Sequence, residues 1–302
     1  LAAYLINAYW TGARSSIAVP VPARAWRPAA RPVGWGLAVV AWAVALALLV
    51  VYGTIVLGSV VTAWGTDWSP SAAHYFGAGA GDRVRSVWNS LRVAALAAVL
   101  GTPVALMSAY VIERMRPPGA RALAVASGLP AALPGTVIGL GYLLTFHGPP
   151  AILTGTIWAP TLCVVFWKLP VAVLAALAAL RRVSPGTEET AVSLGAGTAA
   201  TLLRVTLPLL AGTALVVGGY FFIEGMATVS PMVFLIYRGC TVGSVEVLLQ
   251  IDEGRVGAAC AVMTILVAIA WTVVLLLRRA IGRERLALLE GLTLKPGFKA
   301  LR

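Results

Sequence analysis

Charged side chains are scarce in this 302-residue chain. They make up 11% of it, whereas 60% of the residues are hydrophobic and the mean hydropathy is +0.90. A typical soluble protein carries about 25% charged residues. A chain this apolar cannot bury its surface in one soluble core, so we expect lipid to be part of its solvent.

Acidic residues are the scarcest charged class, with 11 Asp and Glu against 23 Lys and Arg, which gives a formal net charge of +12. A basic balance is also found in nucleic-acid-binding proteins. Here, however, most basic residues lie in short segments between apolar runs, and no basic stripe interleaved with aromatics occurs. The pattern therefore favours a membrane topology and a lipid bilayer as partner, with no nucleic acid.

Metal-binding and catalytic motifs are also lacking. The three cysteines, Cys163, Cys240 and Cys260, form no C-x-x-C pair, and no acid lies at ligand spacing beside His74 or His147. We therefore predict no metal site and interpret both histidines as solvated loop residues. No G-x-x-x-x-G-K-[ST] sequence is present to hold ATP phosphates, and no nucleophile elbow or carboxylate dyad occurs, so we expect no enzyme site in this chain.

Long apolar runs are what the chain does contain. A bilayer core about 30 Å thick requires roughly 20 apolar residues in a helix. Six runs meet this requirement, at about 36–61, 87–112, 122–146, 153–180, 205–228 and 256–277. We predict an all-α polytopic membrane protein with six transmembrane helices. Its parts are a proline-rich cytoplasmic linker at 1–35, a six-span domain at 36–280 and a cytoplasmic tail at 281–302.

Basic residues fix the expected orientation, because cytoplasmic loops are enriched in Lys and Arg. With the N-terminus inside, the outer segments hold only Arg83, Arg85, Arg238 and Arg255, and the other loop arginines are inside. We therefore predict that both termini are cytoplasmic. The first 33 residues lack the apolar core of a signal peptide, and the chain starts at Leu1, so we expect a piece of a longer polypeptide or a processed chain.

The polar cytoplasmic segment at 181–207, between the fourth and fifth runs, predicts two helices separated by a break. Ser184 can cap the first helix with Pro185 at its first position, and Gly195 can adopt the left-handed conformation that ends it. Thr198 can then cap the second helix, and Pro208 can kink the start of the fifth span. An ordinary cytoplasmic loop is the alternative interpretation.

The residue spacing in this segment is specific. Glu189-x-Ala191-x-x-x-Gly195, followed after nine residues by Val205-x-Leu207-Pro208, resembles the EAA loop of permease subunits of binding-protein-dependent ABC importers. Thr190 departs from the alanine that is usual in that loop. Further matches are Trp88-Asn89-Ser90-Leu91-Arg92, Leu129-Pro130-Ala-Ala-Leu-Pro134-Gly135-Thr-Val-Ile-Gly139-Leu-Gly141 and Phe222-Ile-Glu224-Gly-Met226-Ala-Thr228-Val-Ser230.

The resemblance covers about residues 36–280 and implies a type I, methionine-importer-like permease fold. It is closest to the iron(III), 2-aminoethylphosphonate, thiamine and polyamine group. It implies a cytoplasmic handle for a partner ATPase, formed by Glu188, Glu189, Ala191, Leu194, Gly195, Val205, Leu207 and Pro208. Many iron(III)-type permeases fuse two six-span halves, and residues 1–31 are similar to the join that follows a first half.

The same resemblance implies the partners and the location. An ATPase dimer on the cytoplasmic side would bind ATP and Mg, with no cofactor in this chain. A second permease half or an identical subunit would complete the pathway in the bacterial inner membrane, and a periplasmic or lipid-anchored binding protein would deliver a small solute. An iron(III) or phosphonate-type substrate is favoured. Thiamine, polyamine or sulfate cargo is the alternative, as is an ATP-independent secondary transporter.

Four residues within the spans are candidates for the pathway: Lys168, Glu224, Pro134 and Gly135. An intramembrane lysine is costly and should face protein or water. Lys168 can therefore line the pathway or pair within the bundle with Glu224, and the glycine and prolines can serve the pathway or close packing alone. Near the predicted outer surface, Val245, Leu248, Leu249 and Ile251 predict one apolar face of a short helix.

Overall fold

The computed structural model describes residues 31–149, 153–237 and 239–293, with side chains described from Val33 to Ile281 within these ranges. Most of the predicted linker at 1–35 and the end of the predicted tail lie outside the described residues. The chain divides into two compact units, 1–52 and 53–302. The described part of the first unit is the beginning of one helix, α1 (Arg31–Val60). All other elements belong to the second unit.

The elements after α1 are almost entirely helical. They comprise β1 (Val61–Ala63), β2 (Asp67–Pro70), α2 (Ala73–Phe76), α3 (Ala80–Tyr110), a π-helical turn at Val111–Met115, α4 (Ala120–Gly128), a 3-10 turn at Leu129–Ala132, α5 (Gly135–Phe146), α6 (Trp158–Leu180), α7 (Pro185–Ser193), α8 (Thr198–Thr201), a second π-helical turn at Leu202–Thr206, α9 (Leu207–Leu209), α10 (Ala211–Ala227), α11 (Met232–Leu235), α12 (Gly243–Asp252) and α13 (Val256–Thr293).

The predicted all-α polytopic class is confirmed, with four to six candidate spans. Four helical stretches are long and apolar enough to cross a bilayer, namely Val33–Val60, Ala80–Met115, Trp158–Leu180 and Val256–Ile281. Two bent helix pairs raise the number to six if each pair is one span. The stretch Ala80–Met115 has 36 residues and is about 54 Å long at 1.5 Å per residue. It therefore exceeds a hydrocarbon core of about 30 Å.

The predicted third span is two helices joined at a sharp bend. Ala120–Ala132 and Gly135–Phe146 meet at 111°, more than the kink expected from the prolines. Leu133 is extended at the bend, with φ −102° and ψ 136°. A residue before proline is driven out of the helical region, and Pro134 also lacks an N–H. These two effects account for the break.

The predicted fifth span also begins later than its apolar run. Thr198–Leu209 meets Ala211–Ala227 at 76°, so residues 205–209 precede the bend. The bend lies at Leu210, two residues after the proline that was expected to mark it. A proline near the start of a helix is tolerated because the N–H that it lacks would be unpaired there. Pro208 accordingly lies in α9, and the chain turns only after that short helix ends.

The chain between the first two apolar runs contains a two-stranded antiparallel hairpin, α2 and the beginning of α3. The hairpin turns at Gly65, whose φ is +87°. The Ser69 N–H donates to Asp67 Oδ1 at 2.9 Å, and the Thr62 hydroxyl donates to the Ser69 carbonyl at 3.0 Å. These local bonds stabilise the hairpin, which is the one departure from an all-helical chain within the described residues.

The core lies where α3, α6 and α10 pack together. Small residues permit the close approach, since a Cβ on Gly225 of α10 would lie 2.7 Å from the Ala94 Cα of α3. One buried cluster joins α3 and α6 to the chain between α10 and α12 and to α12 itself. Its members are Val93, Ala97, Ala159, Cys163, Val164, Val165, Met232, Leu235, Val242 and Val245.

The short helix predicted near the outer surface is α12, and only one of its four predicted face residues is buried. Val245 is buried, whereas Leu248, Leu249 and Ile251 are 38–50% exposed. The buried side of α12 is largely polar because its polar groups find partners there. Gln250 Nε2 donates to Glu246 Oε1 at 2.7 Å, and the Ser244 hydroxyl donates to the Thr228 carbonyl at 2.6 Å.

Candidate functional site

The chain from 185 to 209, which we call the elbow, contains α7, α8 and α9 and follows α6 directly. α7 begins where the sequence predicts, with Ser184 extended before it and Pro185 at its first position. The Ser184 side chain, however, makes no capping hydrogen bond. Glu188 lies in the first turn, where a negative charge is favoured by the helix dipole.

Gly195 ends α7 in the conformation that was expected. Its φ is +88°, in the left-handed region that glycine adopts without strain. The Gly195 N–H donates to the Val192 carbonyl at 2.9 Å, and the Ala196 N–H donates to the Ala191 carbonyl at 3.0 Å. This pair of bonds is the Schellman motif, which satisfies carbonyls at the helix end.

The second helix of the elbow has a different cap from the one predicted. Gly197, not Thr198, occupies the position before α8, with an extended backbone at φ −72° and ψ 165°. The Thr201 N–H donates to the Gly197 carbonyl at 2.9 Å, so Thr198 already lies in the first turn. Glycine is acceptable before a helix, although it offers no side-chain cap.

The elbow exposes four large apolar side chains. Leu194 is 84% exposed and Leu203 63% exposed, and Val192 and Leu209 are also more than half exposed. Of the predicted handle residues, Glu189, Leu194, Gly195 and Pro208 are exposed, while Glu188, Ala191, Val205 and Leu207 are partly buried. Exposed leucine and valine beside a glycine with open space around it form a surface suited to close contact with another protein.

Arg114, at the Met115 end of α3, fixes the elbow to the bundle. Its Nη2 donates to the Val183 carbonyl at 2.6 Å and to the Leu180 carbonyl at 3.2 Å. Its Nε lies 3.4 Å from Glu188 Oε1, an ionic contact without hydrogen-bond alignment. The Thr206 hydroxyl donates to the same carboxylate oxygen at 2.9 Å. Four chain segments therefore meet at one ion pair.

The two adjacent glutamates face different ways, as expected for neighbouring residues of a helix. The Glu188 side chain is 13% exposed and turned toward Arg114, whereas Glu189 is exposed. Sequence reasoning placed both in the predicted handle and did not identify the pairing of Glu188. The only signal for that pairing was an arginine at the end of the second span.

A second ionic contact near this end involves Glu113, which sequence reasoning missed. Its carboxylate lies 3.0 Å from Arg181 Nε and 3.3 Å from Arg116 Nη2. Both arginines are exposed, and exposed ion pairs contribute little to stability. A single acid among arginines at the end of an apolar run was the signal that could have identified it.

Lys168 and Glu224 form an ion pair between α6 and α10. The Lys168 Nζ lies 2.8 Å from Glu224 Oε2 and 3.9 Å from the centre of the Trp167 ring. A Cβ on Gly135 would lie 2.7 Å from the same indole. The structure thus brings Lys168, Glu224 and Gly135 to one place around Trp167.

The remaining pathway candidate, Pro134, does not join this group. It is exposed at the bend before α5. Gly139, further along α5, packs against the chain after α10, since its Cβ would lie 2.6 Å from the Pro231 carbonyl oxygen. The prolines and glycines of this region therefore serve a bend and two close contacts.

The Trp88–Arg92 motif contacts the chain before α12. Asn89 Nδ2 donates to the Gly239 and Thr241 carbonyls at 3.2 and 3.1 Å, and the Gly243 N–H donates to the Ser90 hydroxyl at 2.7 Å. Sequence reasoning identified the motif by resemblance alone. The bonds show that it fixes the segment that joins α10 to α12.

The histidines differ from each other. His74 is partly buried, with Nε2 2.9 Å from the Val61 carbonyl oxygen, which corrects its interpretation as a solvated loop residue. His147 is exposed. Within the described residues, no three His, Cys, Asp or Glu side chains are grouped as metal ligands.

Burial raises the pKa of the Cys240 thiol and keeps it protonated near neutral pH.

Comparison with known proteins shows that this chain is similar to permease proteins of transport systems. The chain is 30% identical over 239 residues to "Ferric transport system permease protein FbpB" of Actinobacillus pleuropneumoniae, covering 78% of this chain and 35% of that protein. It is 31% identical over 98 residues to "Putative ferric transport system permease-like protein AfuB" of Escherichia coli K12, covering 32% of this chain and 82% of that protein. No family model matches the chain.

A third relative and a solved structure agree with these matches. "Putative 2-aminoethylphosphonate transport system permease protein PhnV" of Salmonella paratyphi A is 30% identical over 156 residues, covering 51% of this chain and 58% of that protein. A bacterial ABC transporter involved in the import of the acidic polysaccharide alginate superposes with a TM-score of 0.65 at 16% identity. That match covers 82% of this chain and 96% of the other, and it shows the fold alone. The chain belongs to the permease subunits of ABC importers, in the group that includes ferric and 2-aminoethylphosphonate transport permeases.

Proposed function

We propose that this chain is a six-span permease half of an ATP-driven importer and that its elbow is the site where a partner ATPase binds. The observation that carries the proposal is the elbow itself. It combines exposed apolar side chains with an ion pair that holds it to α3 and α6. A stiff segment fixed to membrane helices can convert the motion of a bound partner into a change of the bundle between two states.

In this proposal the ATPase partner is a dimer that binds ATP and Mg, and this chain supplies neither site. ATP binding draws the two elbows of a complete transporter together and shifts the bundle from an inward-open to an outward-open state. A second permease half or an identical subunit provides the other elbow. A periplasmic or lipid-anchored binding protein delivers the solute from outside.

The proposed orientation places both termini and the elbow in the cytoplasm and the protein in the bacterial inner membrane. The distribution of arginine supports it. The Met115 end of α3 carries Glu113, Arg114 and Arg116 and contacts the elbow, which follows Arg181 and Arg182. Such a concentration of basic residues is typical of the cytoplasmic side.

The proposed cargo is a small solute, with iron(III) or a phosphonate-type substrate favoured over thiamine, polyamine or sulfate. The names of the ferric and 2-aminoethylphosphonate transport relatives support this choice. We further propose that Lys168, Glu224, Pro134 and Gly135 lie along the pathway. The grouping of Lys168, Glu224 and Gly135 around Trp167 supports this assignment for those three residues.

Reconstitution tests the proposal. The full-length protein would be expressed with candidate ATPase and binding-protein partners and placed in proteoliposomes. We expect co-purification of the ATPase and ATP-dependent uptake of radiolabelled iron(III) or 2-aminoethylphosphonate, with unlabelled thiamine, spermidine and sulfate as competitors. Uptake driven by an ion gradient, without any ATPase, would instead identify a secondary transporter.

A further inference from the structure

We propose that Arg114 is a positioning residue of the transport cycle, because it makes the elbow move together with the Met115 end of α3 and the end of α6. This inference rests on the proposed function. It assigns a role to a residue that lies outside the elbow and outside the EAA-like motif. Its evidence is the set of contacts around a single guanidinium group.

Arg114 joins three parts of the chain through two different atoms. Nη2 donates to the carbonyls of Leu180, the last residue of α6, and Val183, in the turn before the elbow. The Leu180 carbonyl also accepts the Val183 N–H at 3.1 Å, so the guanidinium adds to the bonds that close the end of α6. Nε faces Glu188, in the first turn of α7.

The second partner of Glu188 is Thr206, which lies near the other end of the elbow. Thr206, which is fully buried, donates its hydroxyl to Glu188 Oε1 at 2.9 Å. The carboxylate therefore connects α7 with the π-helical turn before α9, while Arg114 connects it to α3 and α6. Rotation of α7 alone would break both the hydrogen bond from Thr206 and the ionic contact with Arg114, so the elbow is held as one body.

The π-helical turns lie at both ends of this connection. Arg114 is in the turn at Val111–Met115, and Thr206 ends the turn at Leu202–Thr206. These are the two π-helical turns within the described residues. A π-turn carries one extra residue and shifts the side chains that follow it, and such turns are frequent at functional sites. Here each turn supplies one side chain to the same carboxylate oxygen.

Burial distinguishes this ion pair from the other contacts at the same end of the bundle. The Arg114 and Glu188 side chains are 15% and 13% exposed, whereas Arg116 and Arg181 are 72% and 52% exposed. Water and salt screen exposed pairs strongly and buried pairs much less. The Arg114–Glu188 contact is therefore the one suited to transmit a displacement, while the exposed Glu189 beside it remains available to a partner.

The test uses the complete transporter with its ATPase and binding protein in proteoliposomes, measuring solute uptake and ATP hydrolysis in the same preparation. For Arg114→Met we expect the ATPase to co-purify and hydrolyse ATP, while uptake per ATP falls about tenfold, within the roughly 5- to 150-fold range of couplings between sites. Arg182→Met is the matched control. It removes an exposed arginine close to the same end and should leave uptake per ATP unchanged.

A second variant separates positioning from folding. Arg114→Met alone leaves Glu188 without its cationic partner, whereas Arg114→Met/Glu188→Met removes both charges and the penalty of an unpaired one. We expect the double variant to regain the thermal stability of the wild type and still to show the lowered uptake per ATP. Recovery of uptake together with stability would overturn the proposal, because it would make the role purely structural.

The remaining outcomes are also decisive. Normal uptake per ATP in Arg114→Met contradicts the inference while leaving the proposed function intact. Loss of ATPase co-purification from Arg114→Met also contradicts it, since Arg114 would then serve docking. A wild-type protein that binds no ATPase would instead refute the proposed function on which the inference rests.

Discussion

Lys168 and Glu224 neutralise each other across the contact between α6 and α10, with Nζ 2.8 Å from Oε2. An isolated charge within a bilayer is costly, and pairing is one of the ways in which it is tolerated. The side chains retain 20% and 31% exposure, so the pair is open on one side. It can therefore stabilise the packing of two helices and also be reached by a solute or a neighbouring subunit.

Two variants distinguish a role of this pair in helix packing from a role along the pathway. Lys168→Met leaves Glu224 unpaired, and we expect a loss of roughly 1–3 kcal/mol of stability, less than for a fully buried pair because of the residual exposure. Lys168→Met/Glu224→Gln should restore the melting temperature. If the pair lies along the pathway, uptake by the double variant stays below that of the wild type. Wild-type uptake in a stable double variant would show that the pair only supports packing.

Substitution of Gly195 tests whether this residue contacts the ATPase. A Cβ there would meet no atom within 4 Å, so added atoms crowd nothing within the described chain. Asparagine tolerates positive φ better than other non-glycine residues, so Gly195→Asn should cost the isolated protein about 1 kcal/mol or less. We expect it to lower ATP-driven uptake by about tenfold or more, on the scale of a lost central contact in an interface.

The control for Gly195 is another glycine with the same local properties. Gly119 has φ +96° and also nothing within 4 Å of a Cβ, but it lies in the turn before α4. Gly119→Asn should leave uptake unchanged. Equal losses in both variants would attribute the effect to the backbone, and no loss in either would remove the evidence for an ATPase contact at Gly195.

Sequence reasoning worked best where the relevant physics is local. The break at Gly195, the start of α7 at Pro185 and the direction of Glu188 relative to Glu189 follow from turn chemistry and helix geometry. The contact of Arg114 with Glu188 could not be predicted in that way. It joins residues 74 positions apart, and it depends on how α3 lies against α6.

The features that the sequence did not reveal share a physical cause. The face of α12 was assigned by counting apolar residues, but the buried side also carries Glu246 and Gln250, which are joined by one hydrogen bond from Gln250 Nε2 to Glu246 Oε1. The third apolar run was taken as one span because hydropathy is insensitive to direction, so it could not reveal a bend of 111° at Pro134. Composition predicts which segments can lie in lipid. Polar pairing and backbone geometry, which composition does not report, determine which side of a helix is buried and where the chain bends.

Gly139 and Gly141 allow a matched test of the close packing of α5. A Cβ on Gly139 would lie 2.6 Å from the Pro231 carbonyl oxygen, whereas a Cβ on Gly141 would meet nothing within 4 Å. Gly139→Ala should therefore destabilise the protein by about 1–3 kcal/mol, because backbone must move. Gly141→Ala should be neutral or stabilising by up to about 1 kcal/mol, since alanine favours a helix. Thermal melts in detergent would compare the two, and equal effects would contradict the packing.

Opposite sides of the membrane are predicted for Leu194 and Phe76, which are 84% and 85% exposed. Phe76 ends α2, just before the helical stretch Ala80–Met115 begins. The elbow that carries Leu194 contacts the Met115 end of this stretch. At 1.5 Å per residue, the two ends of the stretch are about 54 Å apart. A hydrocarbon core of about 30 Å fits between them. Because the two positions are equally exposed, a difference in labelling between them reports sidedness alone.

Cysteine labelling in both membrane orientations measures that sidedness. We expect a membrane-impermeant maleimide to label Leu194→Cys in inverted vesicles and Phe76→Cys in spheroplasts. Unmodified protein supplies the background, which should be low because Cys163 and Cys240 are buried and Cys260 is partly buried. Labelling of Leu194→Cys from outside would reverse the topology inferred from the arginines. It would also put the elbow beyond the reach of any cytoplasmic ATPase, so the proposed coupling could not operate.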